Sequence, residues 1–222
     1  MHLHVLNKEL WFPSASEALD DGLLAIGGDL CTDRLVLAYR NGIFPWFDDE
    51  VPMWWCPDPR FVLFPDELKV SKSMKQLLKK ETFEFRVNAA FDVVIRNCKL
   101  ISREGQDGTW ITNEVEKAYI KMHKLGYAHS AEAWMDGKLI GGLYGIRMGD
   151  VFFGESMFSH VGNASKYAFI KYVELLKSEG VRIIDCQVYT EHLESLGARM
   201  IERSTFLEYL KEYIKSDLPW QL

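Results

Sequence analysis

The sequence has little cysteine, no long apolar run and no excess of positive charge. Its four cysteines, Cys31, Cys56, Cys98 and Cys186, form no CxxC pair and read as reduced thiols. The six histidines show no HExxH and no paired metal spacing, so no metal site is expected. There is no signal-peptide pattern and no stretch long enough to span a bilayer, so the expected setting is soluble and cytoplasmic. A net charge of −6 argues against a generic nucleic-acid binder. A local basic patch stays open, because charges act over only about 8–10 Å in physiological salt. Internal repeats and low-complexity segments are absent.

What is present suits a globular chain with a sizeable core: 222 residues, 48% of them hydrophobic. Seven Trp and thirteen Phe are many for this length, and several sit in Gly/Pro-rich loops. Concave aromatic surfaces or a loop-covered core account for them equally well. The first sixty residues differ in texture from the rest. Asp21–Asp29 is too rich in Gly for a regular element, Thr32 caps a helix stopped by Gly42, and Trp54-Trp-Cys-Pro-Asp-Pro-Arg60 is extended and turn-rich. The expected organisation is a small amino-terminal module over residues 1–60 and a main domain over 61–222.

In the main domain, strands are expected near 60–64 and 83–87 and helices near 71–80 and 91–98. Asn113 with Glu116 forms a capping box for a helix ending at Gly126. A meander follows over 128–134, 139–148 and 151–159, with Asp136-Gly137 and Gly149-Asp150 as turns. A helical run from Asn163 to Gly180 leads to a strand at 181–188, which predicts a crossover between parallel strands. Helices at 191–196 and 205–214 complete an α+β chain with a mixed sheet and flanking helices.

Period two puts Phe153, Glu155 and Met157 on one strand face, and Ile183, Asp185 and Gln187 on one face of another. If the strands are close, Glu155, Met157, Asp185 and Gln187 gather at their carboxyl ends, where open sheets bind ligands. A core pair satisfied by backbone amides is the competing reading, since structural ion-pair networks imitate active sites. Gly154-Glu-Ser156-Met-Phe158 lacks the second Gly of a nucleophile elbow and lies in a strand. Gly141-Gly-Leu-Tyr-Gly145 opens no helix, so it fits neither a phosphate loop nor a dinucleotide fingerprint. Lys72, Lys75 and Lys79, with Lys80 beside them, share one helical face that suits a phosphate backbone. An ordinary solvated helix face is the competing reading.

Phe44-Pro-Trp-Phe47, Trp54–Arg60, Gly108-Thr-Trp-Ile111, Ala128-His-Ser130, Gly141–Gly145, Phe153–Phe158, Asn163-Ala-Ser-Lys166, Asp185-Cys-Gln187 and His192–Ala198 occur in this order. Together they resemble the leucyl/phenylalanyl-tRNA–protein transferase family over nearly the whole chain. The resemblance implies an acetyltransferase (GNAT)-like main domain and a small amino-terminal module. It implies transfer of Leu, Phe or Met from aminoacyl-tRNA to the α-amino group of proteins beginning with Arg or Lys, which marks them for degradation. No cofactor is implied, because the aminoacyl ester is already activated. By resemblance Asp185 assists deprotonation of the amine, Gln187 holds the amine or the oxyanion, and Glu155 orients the terminal adenosine or the Asp185 network. Trp46 and Trp110 stand at the site. Leu143, Met157, Phe169, Tyr172 and Ile184 line the amino-acid pocket, and Lys72, Lys75, Lys79 and Lys80 meet the tRNA. An acyl-CoA acetyltransferase would want a pyrophosphate loop opening a helix, and this chain has none. A non-catalytic RNA-binding module would leave the carboxylate–amide set without a task.

Overall fold

The computed structural model describes residues 3–47, 50–101, 110–216 and 219. The amino-terminal part is a four-stranded sheet. It is built from β1 (His4–Leu6), β2 (Leu23–Gly27), β3 (Phe44–Pro45) and β4 (Met53–Trp55), in the order β1-β2-β4-β3. The helix α1 (Thr32–Arg40) lies between β2 and β3 in the chain. The glycine-rich stretch expected to be irregular is thus partly a strand. Gly27 and Gly28 end it with positive φ, where a side chain would be strained. Cys31, not Thr32, occupies the cap of α1, without a side-chain bond.

The main sheet has seven strands: β5 (Arg60–Leu63), β6 (Glu84–Val87), β7 (Ala128–Met135), β8 (Lys138–Met148), β9 (Val151–Ser159), β10 (Ile183–Gln187) and β11 (Arg199–Ile201). Their order is β11-β5-β10-β9-β8-β7-β6. The helices are α2 (Lys72–Lys79), α3 (Phe91–Leu100), α4 (Asn113–Lys124), α5 (Ala164–Ser178), α6 (Glu191–Glu194) and α7 (Arg203–Tyr213). The meander β7–β9 is antiparallel, and α5 carries the chain across to β10, which pairs parallel with β9. The result is the mixed sheet with flanking helices that the sequence leads one to expect. Thr112 rather than Asn113 caps α4, accepting the N–H of Val115. Glu116 is turned away to Arg96 and Lys99 instead of closing a capping box.

Two apolar layers sandwich the sheet. One joins α1, α3, α4 and α7 to Val62, Tyr144, Phe153 and Ile183, and runs on into the small sheet through Trp54 and Phe44. The other packs α2 and α5 on Phe61, Leu63, Phe152 and Ile184.

Two bulges override the strict alternation read from the sequence. Tyr144 pairs with Ser156 but Gly145 with Gly154, so Glu155 is the extra residue of β9. Gly145 is required there, since a Cβ would lie 2.2 Å from the Phe153 carbonyl oxygen. The phase of β9 shifts: Met157 packs with the α5 layer, whereas Phe153 belongs to the opposite layer. Phe153, Glu155 and Met157 therefore do not share a face. In β10, Asp185 pairs with Val62 and Gln187 with Phe61, which makes Cys186 the extra residue. Gln187 follows in the left-handed region at φ 63°.

Candidate active site

The site lies where β9 and β10 part. Their parallel pairing runs from Ile183–Val151 to Asp185–Phe153 and stops. Beyond it lie the two bulges, and a cavity of about 520 Å³ opens there, lined from both strands. Its walls come from both sides of the sheet. Leu143, Met157, Phe169 and Ile184 form an apolar wall, Glu155, Asp185 and Gln187 the polar end, and Trp46, Trp110 and Phe44 the aromatic rim.

Glu155 is the centre of the polar end. Tyr39 of α1 donates to one carboxylate oxygen at 2.8 Å and Tyr119 of α4 to the other at 3.0 Å. The two tyrosine hydroxyls also touch each other. Gln187 Nε2 donates to the Glu155 oxygen that Tyr39 uses, at 3.0 Å. Burial penalises the charged form, and with repulsion from Asp185 it outweighs the hydrogen bonds. The Glu155 carboxyl is pushed up to about 7. Tyr39 and Tyr119, buried beside this carboxylate, are held protonated well above the usual phenol range.

Asp185 has different surroundings. Arg60 grips it bidentately, Nε to Oδ1 at 2.8 Å and Nη2 to Oδ2 at 2.7 Å, and both residues are buried. Oδ1 also accepts the Gln187 N–H at 2.9 Å. Three of its roughly four lone-pair positions are thus taken.

Residues 62–211 match the leucyl/phenylalanyl-tRNA protein transferase family, and residues 28–58 match the amino-terminal domain of that family. The chain belongs to this transferase family. The leucyl/phenylalanyl-tRNA–protein transferase of Flavobacterium johnsoniae is 56% identical, over 84% of this chain and 89% of the relative. That of Chromobacterium violaceum is 53% identical, over 96% and 93%. Among solved structures, L-PGS from Bacillus licheniformis aligns with a TM-score of 0.41 and 14% identity, over 88% of this chain and 62% of that one. A GCN5-related glucosamine N-acetyltransferase region of a fungal β-N-acetylglucosaminidase gives 0.43 and 13%, over 78% and 22%.

Most positions expected from the transferase-family resemblance meet in this one cavity. Tyr172 does not. It is buried edge-on against Phe152, and neither residue lines the cavity. Lys72, Lys75, Lys79 and Lys80 lie away from the cavity, exposed along α2, while Met74, Leu77 and Leu78 pack inward. Gly108 and Thr109 of the Trp110 motif lie outside the described residues. Residues assigned no role from the sequence are Tyr39, Tyr119 and Arg60. For Arg60 a signal existed, since a cation opening a run of four buried strand residues needs an acidic partner. The tyrosines carried none, because helical spacing alone makes them core.

Among the described residues no helix is long and apolar enough to cross a membrane, and no cluster of potential metal ligands occurs.

Proposed function

We propose that the protein transfers leucine, phenylalanine or methionine from aminoacyl-tRNA to the α-amino group of proteins beginning with Arg or Lys. Such a reaction belongs in the cytoplasm and marks the acceptor for degradation. Family membership supports the reaction class. The observation that carries the assignment is a carboxylate near neutrality at the end of an apolar cavity.

The acceptor ammonium must first lose a proton. Its ordinary pKa of about 7.7–8.0 lies within about one unit of Glu155, so a transfer between them is nearly balanced. Glu155 is therefore the better proton acceptor. The resemblance gives that task to Asp185, but there both oxygens are held by the charged Arg60 guanidinium, whereas the donors to Glu155 are all neutral. The freed amine attacks the ester carbonyl. A C–N bond forms, the C–O bond to the ribose breaks, and the second nitrogen proton leaves with the ribose oxygen. Gln187 Nε2 carries two hydrogens. One goes to Glu155, and the other is assigned to the developing oxyanion. Trp46 and Trp110 offer flat faces for the terminal adenine. Leu143, Met157, Phe169 and Ile184 receive the apolar side chain, with Tyr172 packed against Phe152 outside the lining. The exposed lysines of α2, from Lys72 to Lys80, take the tRNA backbone. Residues 1–60 form the amino-terminal module and 61–222 the transfer domain.

The test is direct. Purified protein given Leu-tRNA and a peptide beginning with Arg should form a Leu-Arg peptide without ATP or coenzyme A. Transfer from acetyl-CoA, with none from Leu-tRNA, would overturn the assignment.

A further inference from the structure

Arg60 stands outside the cavity lining, yet a continuous chain of contacts leads from it to the proton acceptor. Its guanidinium lies 4.8 Å from the ring centre of Phe44 and 4.7 Å from that of Phe206, and it is 1% exposed. The fork fixes both oxygens of Asp185. One of these oxygens receives the backbone N–H of Gln187, the residue held at φ 63°. A non-glycine residue in that region is strained and persists only when its surroundings hold it. The left-handed turn in its place sends the Gln187 amide to Glu155.

We propose that Arg60 is a positioning residue for the transfer, acting through Asp185 and Gln187 on Glu155. The inference rests on the transfer reading above. Stability alone does not explain the pair, because apolar residues of similar volume are often as stable as a buried ion pair. What the pair supplies is direction. A planar, doubly bonded guanidinium sets the plane of the Asp185 carboxylate, and with it the point where the Gln187 N–H lands.

The informative variant is Arg60→Lys, which keeps the charge and loses the fork. The charged or titratable groups facing Glu155 are Tyr39 from α1, Tyr119 from α4, Arg60 from β5 and Asp185 from β10. The substitution leaves the charge of each unchanged. The expected kcat for Leu transfer to an Arg peptide falls roughly 10–100-fold, since a misplacement of about 1 Å costs on that order. KM for Leu-tRNA should stay within about twofold, because the interaction removed is one of catalysis and not of uniform binding. The acid limb of the kcat profile should move to higher pH, because Gln187 no longer helps hold Glu155 ionised. Phe206→Leu guards against a folding failure. It loosens the guanidinium without touching the site and should give the same split and the same direction of shift. Unchanged kcat and acid limb in the folded variants overturn the inference while leaving the transfer reading intact. A parallel loss of kcat and melting temperature with an unmoved acid limb also overturns it. Unmodified protein that transfers nothing from Leu-tRNA overturns both.

Discussion

Glu155 concentrates the conflict between stability and use in this protein. Its carboxyl titrates near 7 in the folded chain, above the ordinary value for glutamate. The folded state therefore binds the proton more tightly than the unfolded chain. The sign follows: stability is highest below the unfolded value and declines as pH rises through about 7. Glu155→Gln removes that decline. The variant should melt no lower than the parent at pH 5 and higher at pH 8, while turnover falls by about 10²–10⁴. Melting curves at the two pH values with single-turnover rates decide it, and a variant destabilised equally at both would show that Glu155 is no buried acid. For the unmodified protein, the rate should drop with a midpoint near 7 as pH falls. Selectivity is also a residue-scale matter. Met157, Leu143, Phe169 and Ile184 give an apolar lining in which a charged side chain would be desolvated without a partner. Flexible Met repacks around Leu or Phe. Leu, Phe and Met should be used and β-branched Ile and Val poorly. Met157→Ala should depress Leu transfer more than Phe transfer, as the smaller substrate leaves more of the enlarged pocket unfilled. Equal use of Ile and Leu by the unmodified protein would exclude this wall as the selecting surface.

At the scale of elements, much was legible and the misses have common causes. The meander, the Asp136-Gly137 turn with both residues at positive φ, and the parallel crossover all follow from periodicity and turn chemistry. The bulges do not, because one added residue leaves the local pattern of apolar and polar residues almost unchanged. Yet the cavity opens beside them. The pairing of Asp185 with Arg60 spans 125 positions, so the local signal at Arg60 asks for an acid without saying which. Gly145 carried a faint trace, as strand glycines mark bulges. The α2 helix was legible in its extent and its lysine face, and the structure adds Ser71 as its cap, accepting the Met74 N–H. Replacing Lys72, Lys75, Lys79 and Lys80 by Ala should raise KM for charged tRNA. The log–log salt slope should flatten by about 0.7–0.9 for each phosphate that is no longer neutralised. Transfer from a short aminoacyl-adenosine, which lacks that backbone, should be nearly unaffected. Equal losses with both donors would refute the tRNA role of the helix.

For the molecule as a whole, the two sheets function as one body. The small sheet ends at Trp55 and the main sheet starts at Arg60, near the change of texture in the sequence. The energetics do not respect it. A single apolar layer runs from Leu24 and Trp54 through Tyr39 and Phe44 to Phe153 and Phe206. The polar contacts cross the same line: Tyr39 reaches Glu155, Arg203 donates to the Cys56 carbonyl, and the Asp58 carboxylate accepts the Arg203 N–H. Separating the modules would expose that layer and leave Glu155 without one of its donors. Urea unfolding should accordingly give a single transition. Tryptophan emission is weighted to the first sixty residues, which hold Trp11, Trp46, Trp54 and Trp55, and far-ultraviolet dichroism to the main domain, which holds α2 to α7. With one cooperative unit the two midpoints coincide. Two separated midpoints, the earlier seen by fluorescence, would show the first sixty residues to be an independent unit. The cavity would then open by detachment of its Trp46 rim and not by movement within one core.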